Sequence, residues 1–127
     1  MILDTCALLW LAGESITDKI TSSTLELIND SPLVYVSAIS GFEIGTKVGG
    51  GKLSLPASPT EWFNAVLTFH NLEMMDLSLD ICIKATELPK IHKDPCDRFI
   101  IASALKYGFP VVTSDTRFKE YGVEVLI

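Results

Sequence analysis

The sequence predicts an α/β domain built on a largely parallel sheet, and three observations carry the prediction. Short apolar, β-prone runs alternate with helical patterns along the chain. Capping residues, prolines and glycines separate the two kinds of segment. No repeat, low-complexity tract or linker interrupts the order. Right-handed crossovers then place helices on both faces of the sheet, giving a three-layer α/β/α sandwich. With 127 residues, 48% of them hydrophobic, the chain has enough apolar material for a core, and a single domain over residues 1–127 is expected.

The elements follow in order. Met1 to Leu3 is a very short strand, and Leu8, Leu9 and Trp10 suggest a helix directly after it. Thr17 to Asn29 carries Ile20, Leu25 and Ile28 among polar positions, the pattern of an amphipathic surface helix. Leu33 to Val36 is an apolar run of strand length, rich in β-formers. A helix is expected from Ser40 to Lys47, stopped by Gly49-Gly50-Gly51. Ser58-Pro59-Thr60-Glu61 reads as a helix start, with Ser58 as N-cap, Pro59 in the first position and Glu61 closing a capping box; the helix runs to about His70. Leu72 to Leu77 makes a third strand. Ser78 opens a helix that ends before Pro89, and Asp94-Pro95 opens another that ends at Gly108. Pro110 to Thr113 and Val123 to Leu126 are the last two strands.

Composition removes several functions. Sixteen acids against ten bases leave a net charge of −6, which argues against a protein that coats DNA by bulk positive charge. It leaves room for an enzyme that touches nucleic acid locally. Three cysteines (Cys6, Cys82, Cys96) are odd in number and form no C-x-x-C pair, so neither a disulfide framework nor a zinc site is expected. Asp4 stands where a secretory signal would carry basic residues, and no apolar run reaches a membrane-spanning length. Reduced thiols in a cytoplasm are the simplest reading.

In parallel α/β sheets, ligands bind beyond the carboxyl ends of the strands, near the point where strand order reverses. Asp4, Asp76 and Asp115 end the first, third and fourth strands. Each also has a structural reading. Asp4 and Asp115 suit helix N-caps, and Asp76 lies beside Ser78, a competing cap that favours a structural role there. Asp97 falls three residues after Asp94, as in a capping box, and Glu43 has Lys47 at i+4 in the favourable order for a surface ion pair. Spacing does not choose between these readings.

The surrounding residues do. Ile2-Leu3-Asp4-Thr5 leads into Ala7-Leu8-Leu9-Trp10, and Val36-Ser37-Ala38-Ile39-Ser40 runs into Glu43-Ile44-Gly45-Thr46-Lys47. His92-Lys93-Asp94-Pro95-Cys96-Asp97-Arg98 continues through Ala104, and Val112-Thr113-Ser114-Asp115 precedes Phe118 and Tyr121-Gly122-Val123. These four motifs, in this order and over essentially the whole chain, resemble the PIN domain, most closely the VapC-like toxins of toxin–antitoxin pairs. The resemblance implies a PIN-like α/β/α fold and an acidic quartet of Asp4, Glu43, Asp97 and Asp115, with Thr113 or Ser114 as polar helpers. It also implies metal-dependent endoribonuclease activity, a homodimer and a cognate antitoxin partner. With only three residues before Asp4, the first strand is unusually short.

The quartet suits that chemistry. Phosphodiester hydrolysis needs an activated water and charge stabilisation on the phosphate, and a divalent cation supplies both. Hard carboxylate ligands favour Mg²⁺ or Mn²⁺, and two dispersed histidines, His70 and His92, do not make a zinc triad. Like charges ~4 Å apart repel by about 4 kcal/mol at an effective dielectric of 20, so converged acids call for a cation or a retained proton. Asp4 and Asp115 are expected to ligate the principal metal. Asp97 would complete that site, and Glu43 would orient water or help to hold a second ion.

RNA would be met by a local basic rim drawn from Lys47, Lys52, Lys90, Lys93 and Arg98, although Arg98 has an acid next to it with which to pair. His92 reads as a loop residue. Trp10, Phe42, Trp62, Phe63, Phe69 and Phe99 are expected in the core or a dimer interface. Trp62-Phe63 is a core pair by preference, with an antitoxin groove as the other use. Three other functions compete with this one. A haloacid-dehalogenase-like phosphatase would need an acid where Cys6 stands. A phospho-acceptor module would need an acidic pair and a late lysine that the chain lacks. A catalytically silent PIN-like scaffold would keep the fold without the activity.

Overall fold

The computed structural model describes residues 1–14 and 18–127. Five strands, β1 (Ile2–Leu3), β2 (Tyr35–Ser37), β3 (Glu73–Met75), β4 (Val111–Val112) and β5 (Val125–Leu126), form one sheet in the order β3-β2-β1-β4-β5. Every pairing is parallel, with Leu3 opposite Val36 on one side and Val112 on the other. Six α-helices, α1 (Thr5–Leu11), α2 (Ser22–Asp30), α3 (Ala38–Gly49), α4 (Pro59–Phe69), α5 (Leu79–Glu87) and α6 (Pro95–Tyr107), cover it, together with a 3-10 helix at Thr116–Tyr121. This is the α/β architecture that the alternating pattern predicts. No helix among the described residues is long and apolar enough to cross a membrane.

Side chains of a strand alternate between faces, and two cores result. Leu3, Val36 and Val112 pack with Trp10, Ile44, Trp62 and Phe63 on the face covered by α1, α3 and α4. Ile2, Val111 and Met75 pack with Ile81, Ile100, Ile101 and Phe118 on the face of α5 and α6. The central strand β1 is fully buried on both faces, the usual condition of a parallel sheet sandwiched by helices. Trp10, Trp62 and Phe63 are core residues, with Trp62 also donating its indole N–H to Glu14. Phe42 and Phe69 are not: both rings stand in solvent, 66% and 83% exposed.

Helix starts follow the capping residues. Ser58 accepts from the Glu61 N–H with Pro59 in the first position of α4, and Ser78 accepts from the Ile81 N–H at the start of α5. Several boundaries differ from expectation, and the last three strands are shorter than their apolar runs, at Glu73–Met75, Val111–Val112 and Val125–Leu126. The apolar run predicts a strand over 33–36, but β2 is Tyr35–Ser37. Ser37 ends that strand and caps α3 at once, so α3 begins two residues before Ser40. A dual-purpose serine leaves no hydrophobic signature, which is why patterning places the boundary late. The amphipathic segment predicted from Thr17 becomes α2 from Ser22, capped by Thr21, whereas Thr17 itself lies outside the described residues.

One side chain holds the approach to α6. Arg98 donates from Nε to the Ala85 carbonyl (3.1 Å), from Nη2 to Leu88 (2.8 Å), and from Nη1 to Pro89 (3.0 Å) and His92 (3.1 Å). It thereby satisfies carbonyls at the end of α5 that have no helical partner, and it pins the 88–92 loop. Its guanidinium is spent on backbone, so the expected roles of substrate contact or pairing with an acid are corrected: Arg98 is a clamp. Lysine cannot reproduce this fork. Arg98→Lys is therefore expected to destabilise the fold by about 2 kcal/mol, the loss of one or two charge-assisted hydrogen bonds. Urea unfolding checks this, and an unchanged midpoint would refute the clamp.

Candidate active site

The strand order reverses between β1 and β4, and that is where the acids meet. Asp4 leaves β1 and is the N-cap of α1, with Oδ1 accepting from the Ala7 N–H at 2.8 Å. Asp115 follows β4 and caps the 3-10 helix, with Oδ1 accepting from the Arg117 N–H at 2.9 Å. The capping and functional readings of these residues are thus one geometry. The Thr113 hydroxyl, fully buried, lies between the two: it accepts from the Asp115 N–H at 3.0 Å and pulls the Asp4 carboxyl downward. Ser114 is exposed and makes no such contact.

Glu43 arrives on α3 and Asp97 on the first turn of α6. A buried hydroxyl pair, Thr5 Oγ1 and Ser40 Oγ at 2.9 Å, fastens the starts of α1 and α3 to each other and so sets the height of Glu43. Glu43 Oε2 accepts from Lys47 Nζ at 3.3 Å, the expected i, i+4 pair. Its other oxygen is different: Oε1 is buried and has no partner among the described residues. Asp76 stays out of this group. It lines a separate hollow with Tyr35, Tyr107 and Phe109 while Ser78 caps α5, in keeping with its structural reading.

His92 is the residue that patterning missed. It is not a loop side chain in solvent: only 2% of it is exposed, and its ring meets Phe118 edge-on. Nε2 lies 2.8 Å from Asp115 Oδ2 and 2.9 Å from Asp97 Oδ2, bridging the two acids. Nδ1 accepts from the Asp94 N–H at 3.1 Å, so the ring proton sits on Nε2, which donates to Asp115 Oδ2. His92, Asp97 and Asp115 offer atoms close enough to share one metal ion. A nitrogen that carries a proton is no ligand, however, and His92 is better described as orienting the acids that are. A histidine three residues before a Pro-started helix and five before an acid was the one available hint.

Electrostatics agree with crowding. Burial raises the Asp4 carboxyl to about 6 against the pull of Thr113 and the Ala7 N–H, and Glu43 and Asp115 add to the rise. Burial likewise raises Asp97 to about 7, with Asp94, Asp4, Glu43 and Asp115 all pushing the same way. Asp115 goes down to about 2, chiefly because the Arg117 guanidinium grips it. The arrangement gathers hard oxygen donors, one of them buried without a partner, around a crevice in which anions repel. That donor set fits a divalent cation such as Mg²⁺ or Mn²⁺.

The PIN domain family matches residues 1–124 of this chain. The chain belongs to the PIN domain family. Among curated proteins it is similar to ribonuclease VapC22 of Mycobacterium tuberculosis, with 23% identity over 122 residues, covering 95% of this chain and 91% of that protein. Among solved structures it superposes on VapBC2 from Rickettsia felis bound to a promoter DNA fragment, with a TM-score of 0.69 and 18% identity over 98% of this chain and 95% of that one. FitAcB from Neisseria gonorrhoeae follows with a TM-score of 0.64 and 18% identity, covering 99% and 96%. A toxin–antitoxin complex from Klebsiella pneumoniae gives 0.66 and 19%, covering 99% and 95%. At these identities the structural likeness is one of fold, and it is the PIN-like, VapC-like fold that the four motifs resemble.

The raised and lowered acids fix a pH dependence for the metal-free PIN domain. Asp4 and Asp97 bind protons more tightly when folded, so their contribution is complete below about pH 4 and lost as pH rises through about 6 and 7. Asp115 acts oppositely and costs stability only as pH falls towards 2. In EDTA, the melting temperature is expected to fall between pH 5 and pH 8. Asp97→Asn should flatten that slope. A melting temperature that climbs over this range would show that the acids do not converge in solution.

Proposed function

We propose that this PIN domain is a divalent-metal-dependent endoribonuclease acting as the toxin of a toxin–antitoxin pair. The observation that carries the reading is the crowding of Asp4, Glu43, Asp97 and Asp115 at the strand-order reversal, near enough for their charges to act on one another, with Glu43 Oε1 buried and unpartnered among the described residues. The name of the curated relative, a ribonuclease, and the toxin–antitoxin complexes that share the fold support the same conclusion.

Asp4, Asp97, Asp115 and Glu43 are the residues that would hold the metal, Mg²⁺ or Mn²⁺. A divalent cation there supplies positive charge to the phosphate oxygens and acidifies water for attack. The chain's own groups do the rest. Asp4 is held by its cap and by Thr113, so its orientation costs no ordering when substrate arrives. His92 fixes the spacing of Asp97 and Asp115 from behind. Asp97, raised to about 7, keeps a proton on its carboxyl to higher pH than Asp4 or Asp115.

The RNA approach runs along a groove of about 360 Å³ beside Glu43, lined by Phe42, Thr46, Lys47, Lys52, Asp94 and Cys96. Lys47 and Lys52 offer phosphate contacts and the exposed Phe42 ring a face for a base. Lys93 faces a different hollow, with Pro95 and Phe99, and is the weaker candidate. Protein partners, an antitoxin and a second copy of the toxin, would use apolar surface such as Leu79 and Ile83. These stand exposed one helical turn apart on α5. A cytoplasmic location and a single domain complete the reading.

Purified protein given a labelled structured RNA is expected to cut it with Mg²⁺ or Mn²⁺ and not with EDTA. Asp4→Asn should lower the rate at least ~100-fold, since a ligand charge is lost from the site. Cutting in EDTA, or by the variant at the wild-type rate, would overturn the assignment. Folded, metal-stabilised protein that cuts no RNA would favour the silent scaffold instead. His92→Leu, checked for folding by circular dichroism, is expected to weaken Mn²⁺ binding by about 10- to 100-fold, the usual cost of losing a group that orients ligands. Unchanged binding would remove His92 from the centre.

A further inference from the structure

The Asp115 carboxylate has no room for a metal as it stands. A carboxylate offers about four lone-pair positions. Oδ1 accepts from the Arg117 backbone N–H at 2.9 Å and from Arg117 Nε at 3.0 Å. Oδ2 accepts from Arg117 Nη2 at 2.7 Å and from His92 Nε2 at 2.8 Å, with Arg117 Nε again at 3.2 Å. All four positions are filled. The backbone N–H belongs to the cap of the 3-10 helix, and His92 is buried and held by Asp94. The Arg117 side chain is the movable occupant: it is exposed, and Asp115 is its only partner among the described hydrogen bonds.

We propose that Arg117 is an exchangeable counter-ion, seated on Asp115 while the centre is empty and released to a phosphate of the RNA when Asp115 takes up the metal. The inference rests on the nuclease reading and deepens it. The chemistry suits both positions, because the planar fork that grips a carboxylate at two points grips a phosphate equally well. Departure frees one lone pair on each Asp115 oxygen while the cap and His92 keep the carboxylate oriented. It also leaves a guanidinium at the mouth of a crevice that is otherwise acidic, where the substrate is an anion. Metal and RNA are then coupled through one side chain: the cation that displaces Arg117 makes it available to the phosphate, and the phosphate that holds it favours the cation.

The test is Mn²⁺ binding by calorimetry for the wild type, Arg117→Gln and Arg117→Lys, without RNA. Arg117→Gln is expected to bind Mn²⁺ about three- to fivefold more tightly, the scale of an exposed ion pair no longer displaced. Arg117→Lys keeps the charge but loses the fork, and it is expected to bind more tightly than wild type as well. In Ca²⁺, used as a probe cation, Arg117→Gln should lose several-fold in affinity for the labelled RNA, and in EDTA the two proteins should bind it alike. Wild-type Mn²⁺ affinity in Arg117→Gln, or in Arg117→Lys alone, would overturn the exchange while leaving the nuclease reading intact. Failure of the wild type and both variants to bind Mn²⁺ would overturn both. Binding by the variants but not the wild type would establish the exchange in its strongest form.

Discussion

Every feature of the site depends on one constraint: carboxylates brought to the carboxyl edge of a parallel sheet, in surroundings too dry to keep them comfortably charged. Asp4 is only 6% exposed at the end of a strand buried on both faces. Water would ordinarily solvate such a group, and here it cannot. What remains are backbone N–H groups, a buried threonine hydroxyl, a buried histidine and one arginine, and each is found in contact with an acid. Where burial outweighs such partners, the carboxyl is raised, as at Asp97 and Asp4, and where the partners win it falls, as at Asp115. The centre is therefore electrostatically unfinished, a state that a divalent cation completes.

The fold supplies this constraint through the alternation of its strands. Because β1 lies between β2 and β4, a residue following β1 and one following β4 emerge side by side where the order of strands reverses. The acids at those two ends double as helix caps, so the residues that start the elements also build the centre. Helices α3 and α6 then bring Glu43 and Asp97 across the opening, with the Thr5–Ser40 hydroxyl pair and the Arg98 clamp setting where each begins. Positioning is done by buried polar contacts, which are directional, while the two apolar cores provide the bulk of the burial.

Much of this was legible beforehand. Strand and helix alternation, the serine and aspartate caps at Ser58, Ser78 and Asp94, and the placement of Asp4 and Asp115 at strand ends all follow from local chemistry that a sequence displays. Glu43 and Asp97 were found through motif resemblance, since their spacing alone suits a surface ion pair and a capping box equally. The roles of His92, Arg98 and Arg117 were not legible. A histidine before a helix, an arginine after an acid and an arginine two residues into a 3-10 turn have many common uses, and which atoms they meet depends on how the surrounding turns and loops close.

By itself, then, the sequence determined the α/β class, the parallel sheet, the family and the acids that belong to its motifs, because periodicity, capping and motif order are properties of neighbouring residues. Tertiary structure alone decided that His92 is buried between two of those acids, that Arg98 is bound to carbonyls rather than free for substrate, and that Arg117 fills the last places on Asp115. The reason is physical. Burial and hydrogen-bond saturation belong to surfaces brought together by closure of the sheet and its loops, and no local pattern encodes how many lone pairs remain open once they have closed.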